Sequence, residues 1–429
     1  MNIKNTATVL ILSALTACSP SKPAPDIDEL AREYLFLELS MDLHDEGHVD
    51  AYFGPEEIRD RAAEQGLTMD AILIASNALA EDLAAVDTSA DDMLKARVLG
   101  LLARLQALDT RIAIKNGEFL SFDEESIRLF GTVAPSIDDG HFQAILHQID
   151  ELVPGDGPLN ERVEGFRSRF YVPDDKRAAV FEAALDECRR RTAPHIELPD
   201  NESFVIDYVE DKPWGAYNWY KGNAHSLIEV NTDLPSLIFS AVHTGCHEGY
   251  PGHHVYNALL EKNLVGDKGW IEFTLYPLFS PQSLIAEGTA NYGTPLAFPG
   301  DERTEFEKGV LFPLAGLDPE EADRYYTLRE LLTQLSYAGN EAARAYLDGD
   351  MAREETIDWL MTYGLSTRER AEKSVWFYDT YRSYVINYNW GKDLVAEYIE
   401  QGNPDLDERW RRFEKLLSTS VLPADLKVD

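Results

Sequence analysis

The stretch His243-Thr-Gly-Cys-His-Glu-Gly-Tyr-Pro-Gly-His-His254 contains four of the ten histidines in the chain. Within it, His247 is followed at once by Glu248, the order found at the start of the metal-binding helix of many zinc hydrolases. In that motif the histidine binds the metal and the glutamate acts as general base. A second histidine normally stands four residues after the first, but this chain has Pro251 there, which cannot bind a metal. The next two histidines come six and seven residues after the first.

Helix geometry decides whether one of these later histidines can complete the site. On an unbroken helix, a residue six positions on is rotated by roughly 600°, and one seven positions on lies about 10 Å along the axis. Neither position allows two imidazoles to approach one zinc ion at about 2.0–2.1 Å. The Pro-Gly pair at 251–252 can interrupt the helix, because proline removes a hydrogen bond and glycine tolerates unusual dihedral angles. If this pair bulges out, His253 joins His247 as a metal ligand, with His254 as the alternative. Glu248 is then the catalytic base.

The sequence His-Glu-Gly-Tyr-Pro-Gly-His-His at 247–254 resembles the signature of a widespread bacterial family, the domain of unknown function 885. The resemblance is carried by the part of the chain from about residue 215 to about residue 300. It implies a zincin-like metallohydrolase with a mainly α, large helical fold around a deep cleft, similar to the carboxypeptidase Taq and thimet oligopeptidase groups. It also implies a small β-hairpin or sheet next to the metal helix.

Two histidines leave a catalytic zinc site incomplete, since such sites usually have three protein ligands and one open position. A helix predicted from Pro281 to Phe298 contains Glu-Gly-Thr-Ala-Asn-Tyr, which resembles the second motif of the same family, Glu-Gly-x-Ala-x-Tyr. The resemblance makes Glu287 the third ligand and Zn²⁺ the cofactor. Asn291, one turn later, is a candidate for orienting a ligand. The alternative is that Glu287 only complements the positive end of its helix.

The residues before the metal motif predict two short strands, Ser203–Val209 and His225–Asn231, with an aromatic cluster between them. These strands either pair with an extended substrate or cover the core. The first active-site helix is predicted from Leu234 to Tyr250. His243 lies four residues before His247 and on the same helical face, where it either contacts a ligand or is satisfied locally.

Further candidates lie in a tyrosine-rich segment of the C-terminal part. We expect Tyr384, Tyr388 or Arg382 to stabilise the oxyanion, because hydroxyl and guanidinium groups are suitable donors for that step. An aromatic stripe at helical spacing is more often part of a core, and this alternative stays open. The related family has a Tyr…Pro-Gly-Gln…Tyr pattern here, of which the segment 388–392 keeps only the glycine.

Residues 1–18 have the features of a bacterial lipoprotein signal peptide. A short apolar run is followed by Leu15-Thr-Ala-Cys18, which resembles a lipobox and makes Cys18 the lipidation site. Ser19 follows, which resembles sorting to the outer membrane, and residues 19–25 form a Pro/Ser tether. The alternative is a plain secretory signal. The predicted location is the cell envelope, with the protein lipid-anchored on the periplasmic face of the outer membrane.

The charge of the chain excludes one class of partner. With 39 basic and 76 acidic residues, the net charge is −37, whereas nucleic-acid binding requires a basic surface. The same charge repels anionic lipid. We therefore predict no nucleic-acid partner, and contact with the membrane only through the N-terminal lipid anchor.

Helical periodicity dominates the rest of the chain. It predicts an N-terminal helical part at 26–200 and a catalytic zincin-like part at 201–429, together forming one continuous structural unit. Long helices are predicted at 319–348 and 367–389.

Two cysteines, Cys188 and Cys246, remain after processing. They could pair in an oxidising compartment. Because Cys246 adjoins the proposed ligand His247, we instead expect both to be small buried residues without a disulfide.

These features together predict a zinc metallopeptidase that acts on short peptides. A zinc centre of this kind would also suit a non-peptide amide or ester. Two other classes of protein stay open: a lipid-anchored binding protein that has lost catalysis, and a structural envelope protein with incidental histidines.

Overall fold

The computed structural model describes residues 26–212, 214–233 and 235–427. It is mainly helical, with 67% helix and 7% strand, which confirms the predicted fold class. None of the helices in this part of the chain has the length and apolar character needed to cross a membrane. The predicted signal peptide, the tether and Cys18 lie outside the described residues.

In the described part of the chain, eight α-helices precede the metal motif, and several of them have a polar side chain as N-terminal cap. Asp91, for example, accepts hydrogen bonds from the backbone N–H groups of Met93 and Leu94, which satisfies donors that the first helical turn leaves free. The helices are α1 (Ile27–Asp42), α2 (Glu56–Gln65), α3 (Met69–Ala84), α4 (Asp92–Lys115), α5 (Phe122–Phe130), α6 (Asp139–Leu152), α7 (Leu159–Arg167) and α8 (Asp174–Thr192).

The remaining α-helices begin within the metal motif and continue to the end of the described chain. They are α9 (Ile238–Thr244), α10 (His253–Leu260), α11 (Pro281–Ala297), α12 (Glu302–Phe306), α13 (Phe312–Ala315), α14 (Ala322–Gln334), α15 (Tyr337–Leu347), α16 (Arg353–Tyr363), α17 (Arg368–Tyr381), α18 (Ile386–Glu400), α19 (Leu406–Ser418) and α20 (Pro423–Leu426).

Two small sheets complete the fold. β1 (Val49–Tyr52) pairs antiparallel with β5 (Leu275–Pro277). The other sheet has the order β2 (Ser203–Val209), β4 (His225–Asn231) and β3 (Ala216–Tyr220), with β2 parallel and β3 antiparallel to β4. The two strands predicted from sequence are β2 and β4, so the sheet is confirmed. The prediction of only two strands is wrong, because the aromatic segment between them adds β3 at the sheet edge.

The packing joins the two predicted parts of the chain. One hydrophobic cluster extends from Ala107 to Leu426 and includes helices from both sides of residue 200. A second cluster extends from Leu30 to Ile112 and also takes in Leu275 of β5. The long helix α4 contributes to both clusters, and the β1–β5 pair links the first residues of the fold to the segment before α11.

Three helix predictions need correction. The first active-site helix begins at Ile238 and changes to a π-helical turn at Gly245–Gly249. The helix predicted at 319–348 is two helices, α14 and α15. The helix predicted at 367–389 is interrupted at Arg382, whose positive φ of 53° is incompatible with a continuous α-helix.

The expectation of unpaired cysteines is wrong, because Cys188 and Cys246 form a disulfide. The bond joins α8 to the π-helical turn. Gly245 allows this approach, since a Cβ atom there would lie 3.1 Å from the backbone of Leu185. The close packing of α8 against the turn brings the two sulfur atoms together, an arrangement that sequence spacing alone does not show.

We expect this disulfide to stabilise the fold appreciably. The cysteines are 58 residues apart in sequence, and chain entropy then predicts a stabilisation of about 4 kcal/mol. The free energy of unfolding, measured in urea, should fall by up to this amount in the Cys188→Ala/Cys246→Ala variant. Dithiothreitol should destabilise the wild type and leave the double variant unchanged. Equal stability of oxidised and reduced wild type would contradict the assignment.

Candidate metal centre

The metal motif folds as two helices with a tight connection between them. After the π-helical turn, Tyr250 and Pro251 are joined by a cis peptide bond, and α10 begins at His253. The backbone N–H of Gly252 donates to the carbonyl of Cys246 at 2.9 Å. A Cβ atom on Gly252 would lie only 1.8 Å from the carbonyl oxygen of His247, so glycine alone fits this position. The predicted bulge is therefore a break between two helices.

This break places the two histidines side by side. The Nε2 atoms of His247 and His253 are 3.1 Å apart. The carboxylate of Glu287, on α11, faces both rings: Oε2 lies 3.4 Å from Nε2 of His247, and Oε1 lies 3.8 Å from Nε2 of His253. The structure thus brings together the three predicted ligands, whose donor atoms all lie within 4.8 Å of one another.

Close helix packing holds α11 in place. A Cβ atom on Gly288 would lie 2.5 Å from the carbonyl oxygen of Gly391 on α18. The two helices can approach this closely only because both positions are glycine. Gly391, the glycine of the segment 388–392, packs against the residue after Glu287 and so has a packing role.

The three residues are close enough to hold one metal ion between them. The two imidazole Nε2 atoms are 3.1 Å apart, and each faces one oxygen of the Glu287 carboxylate. Oε2 of Glu287 is buried without a hydrogen-bond partner in the described chain, as is Nδ1 of His247. A buried, unsatisfied carboxylate oxygen is costly, and a cation between the three side chains would remove that cost.

The protonation states also suit a metal site. Burial lowers the pKa of His253 to about 4, so its imidazole is neutral and offers a lone pair. Burial opposes ionisation of Glu287, but the neighbouring His247 and the hydroxyl of Tyr384 hold its pKa below the usual value. Burial likewise opposes the charged form of His247, but Glu287 and Glu248 raise the pKa of this imidazole.

Glu248 lies beside this group without belonging to it. Its Oε1 is 4.0 Å from Nε2 of His247, and its side chain is 9% exposed, at the wall of a cavity. Asn218 of β3 donates to the backbone carbonyl of Glu248 at 2.6 Å and so fixes the backbone against the sheet. Burial raises the pKa of the Glu248 carboxyl to about 7; His247 opposes this shift and Glu287 adds to it. A carboxyl with this pKa is suited to accept and return a proton near neutral pH.

The tyrosine-rich segment reaches the site only in part. The buried hydroxyl of Tyr384 donates to Oε1 of Glu287 at 3.0 Å. Tyr388 lines the cavity, with its ring centroid 5.7 Å from that of Tyr384. Arg382 lines the same cavity, but its Nε donates to Glu125 at 2.6 Å. The expected oxyanion role of Arg382 needs correction, since its charge is already paired with a buried carboxylate.

His254 is turned away from the metal group. It is fully buried, and its two ring nitrogens lie 2.8 Å from Ser226 Oγ and 2.9 Å from Glu202 Oε1. Both nitrogens therefore have partners on and beside the three-stranded sheet. The prediction of His254 as an alternative metal ligand is therefore wrong, because neither of its ring nitrogens is available to a metal.

The two remaining candidates surround His247. The ring of His243 lies 5.4 Å from that of His247, centroid to centroid. Burial and the neighbouring positive groups hold its pKa well below the usual value, so this imidazole is neutral. The amide of Asn291 donates to the backbone carbonyl of Glu287 at 2.9 Å, and Asn291 also contributes to the raised pKa of His247. Both residues thus contact the predicted ligands or lie next to them.

All of these groups open onto one cavity of about 750 Å³. Its lining includes a residue that sequence analysis missed, Asp50 of β1. No motif surrounds Asp50, and a single acidic residue in a short strand is usually solvated. The only signal in the sequence was an aspartate between two apolar residues in a stretch able to form a strand.

Comparison with known proteins gives the fold but no family. Neither a family model nor a curated protein matches the sequence. A solved structure of a candidate lipoprotein from Colwellia psychrerythraea aligns at 16% identity with a TM-score of 0.54, covering 86% of this chain and 70% of that chain. A candidate lipoprotein of unknown function from Shewanella oneidensis aligns at 13% identity with a TM-score of 0.40, covering 84% and 75%. The first likeness shows a shared fold; the second carries no argument.

Metal binding should distinguish the two adjacent histidines. Because only His253 faces the other two ligands, His253→Ala should lose bound zinc, as measured by elemental analysis of the purified protein. His254→Ala should retain zinc but lose about 1–3 kcal/mol of unfolding free energy, since Glu202 and Ser226 lose a buried partner. Loss of zinc only in His254→Ala would reverse the assignment.

The raised pKa of Glu248 predicts a pH dependence of stability in the metal-free protein. Its folded-state pKa of about 7 lies above the ordinary value of 4.5, so the fold favours the protonated form. The contribution of protonated Glu248 to the free energy of unfolding is fully present below pH 4.5 and is lost as the pH rises through about 7. The wild type therefore loses unfolding free energy from acid to mildly alkaline pH, whereas Glu248→Gln does not. Over this range the variant should gain on the order of 1–3 kcal/mol of unfolding free energy relative to wild type. Urea unfolding of chelator-treated protein tests this, and parallel pH profiles would refute it.

Proposed function

We propose that this protein is a zinc-dependent metallohydrolase that cleaves short peptides. The observation that carries the proposal is the group of His247, His253 and Glu287 beside the buried carboxylate of Glu248, all facing one cavity. Two histidines and a glutamate with an open side are the ligand set of several zinc peptidases. A metal site without a catalytic role would not require a second buried acid next to it.

Each residue has a role that follows from its position. When bound, zinc supplies Lewis-acid chemistry, which polarises a carbonyl group and activates water. Glu248 takes the proton of the attacking water and delivers it to the leaving amine, because its carboxylate is buried and close to the ligand group. The hydroxyl of Tyr384 holds Glu287 in place. Both actions use side chains that the fold has already oriented.

Tyr388 is the proposed donor to the developing oxyanion. Tyr388 lines the cavity, where desolvation together with the charges of Glu287 and Glu248 raises the pKa of Tyr388 well above its usual value, so the hydroxyl keeps its proton. A protonated hydroxyl at the cavity wall can stabilise negative charge as it forms.

The sheet beside the site favours a peptide over another amide. β3 is the edge strand of its sheet, and residues from Ala216 to Trp219 line the cavity. An edge strand has backbone N–H and C=O groups free to pair with an extended peptide. A cavity of this size accommodates a few residues, which favours short peptides over folded proteins.

The proposal also covers the cellular location of the protein and the family to which it belongs. Membership of the domain of unknown function 885 is supported by the motif at 247–254. Lipidation at Cys18, with anchoring to the periplasmic face of the outer membrane, is supported by the lipobox-like sequence. The description of the Colwellia psychrerythraea neighbour as a candidate lipoprotein agrees with this location.

Substitution of the two glutamates should separate catalysis from metal binding. Glu248→Gln keeps the size of the side chain but removes the base, so turnover should fall at least about 10²-fold while zinc content stays unchanged. Glu287→Gln should weaken zinc binding first and lose activity as a consequence. The measurements are zinc content and hydrolysis of the best substrate from a peptide library, with zinc supplied. Nearly full turnover in metal-loaded Glu248→Gln would reject the mechanism.

A further inference from the structure

The charged groups of the cavity are strongly unbalanced. Three cationic side chains line it, Arg111, Lys115 and Arg382. The first two bind Asp45, at 2.6 Å and 2.9 Å, and the third binds Glu125. Within the described lining, each cationic side chain therefore already has a carboxylate partner, and Arg111 and Lys115 share one.

The acidic side chains of the lining outnumber the cationic ones, and they include Asp50, which the proposed mechanism does not use. Its carboxylate lines the cavity and makes no hydrogen bond or ion pair with any described residue. It also lies outside the three-residue group with metal-ligand spacing. Burial and the charges of Glu287 and Glu248 raise the pKa of Asp50 to about 8, which places it within electrostatic reach of the site.

The backbone explains why this side chain faces inward. β1 pairs with β5 so that Val49 is opposite Pro277 and Ala51 is opposite Tyr276, with an irregularity between the two pairs. Asp50 is the extra residue at this bulge. A bulge changes the direction of a side chain relative to a regular strand, and bulges are frequent beside active sites. An unpaired carboxylate here is thus a product of local strand geometry.

Aromatic rings complete the surroundings of Asp50. Tyr276 and Tyr381 line the same cavity as Asp50. Burial raises the pKa of both tyrosine hydroxyls, and Asp50 in its ionised form raises it further. A carboxylate among aromatic rings is a favourable environment for an ammonium group, which gains an ion pair together with contact with the ring faces. The same environment repels a carboxylate.

We propose that Asp50 binds a primary ammonium group of the substrate, and that the enzyme therefore acts at the amino-terminal end of short peptides. This inference rests on the proposed function and names its substrate class. The ammonium belongs to a free amino terminus or to a lysine side chain, which share the same chemistry. The pairing of each cationic side chain of the described lining argues against recognition of a carboxyl terminus, since a negative group there would face the more numerous acidic side chains.

The experiment measures binding, so that it does not depend on hydrolysis. Isothermal titration of the full-length Glu248→Gln variant, with and without zinc, uses three probes: Ala-Ala-Phe amide, acetyl-Lys-Ala-Phe amide and acetyl-Ala-Ala-Phe amide. At least one of the two ammonium-bearing probes should bind about tenfold or more tighter than the neutral probe. The probe with the stronger preference identifies the source of the ammonium group.

Variants then assign the preference to one residue. Asp50→Asn, introduced into the Glu248→Gln variant, should abolish the preference for the ammonium-bearing probe. Asp50→Glu in the same background should retain part of that preference. The matched control is Glu46→Gln, which removes the same charge from an exposed position on the cavity lining. A preference that survives Asp50→Asn, or equal binding of all three probes to the protein with Asp50 intact, would overturn the inference. An intact preference without hydrolysis of any peptide would instead reject the proposed function.

Discussion

The site depends on the contact between Gly252 and the backbone of the preceding π-helical turn. The chain turns back so closely that any side chain at this position would overlap the carbonyl oxygen of His247. This contact ends one helix and lets the next begin at His253, which then presents its imidazole beside that of His247. The usual motif obtains the same pair from one helical turn. Here two helices provide it, and their relative position is fixed by α8, the disulfide and α11.

The fold buries more negative charge around this point than it neutralises. Glu248 and Glu287 are both 7% exposed, and Asp50 adds a third carboxyl group at the same cavity. Burying unpaired carboxylates is costly, and their mutual repulsion raises the cost further. Cations would relieve this cost: in the proposed function, a divalent metal lies beside Glu287 and a substrate ammonium beside Asp50. Glu248 remains free to change its protonation state, which is the property that a general base needs.

The parts of the site that could be predicted from the sequence are those determined by residues close together in the chain. Pro251 and Gly252 indicated an interruption because their backbone properties are local, and the position of His253 followed from that interruption. The side chain of His254 could not be placed this way, since its partners Glu202 and Ser226 come from a sheet distant in sequence. Asp50 and the disulfide were missed for the same reason. Each depends on packing between segments that no local pattern relates, such as β1 against β5 or α8 against the π-helical turn.

The opposite wall of the cavity depends on a second interruption, at Arg382. A non-glycine residue in so sparsely populated a backbone region is disfavoured by roughly 1–3 kcal/mol. Buried Glu125 on α5 offsets this cost, because it accepts hydrogen bonds from Arg382 Nε and from the backbone N–H and hydroxyl of Ser383. The chain then turns so that Tyr384 reaches Glu287. Arg382 thus positions the tyrosines, and its guanidinium forms an ion pair with Glu125. A substrate carboxylate would have to compete with that ion pair. For this reason the cavity presents a negative surface even though arginine and lysine side chains line it.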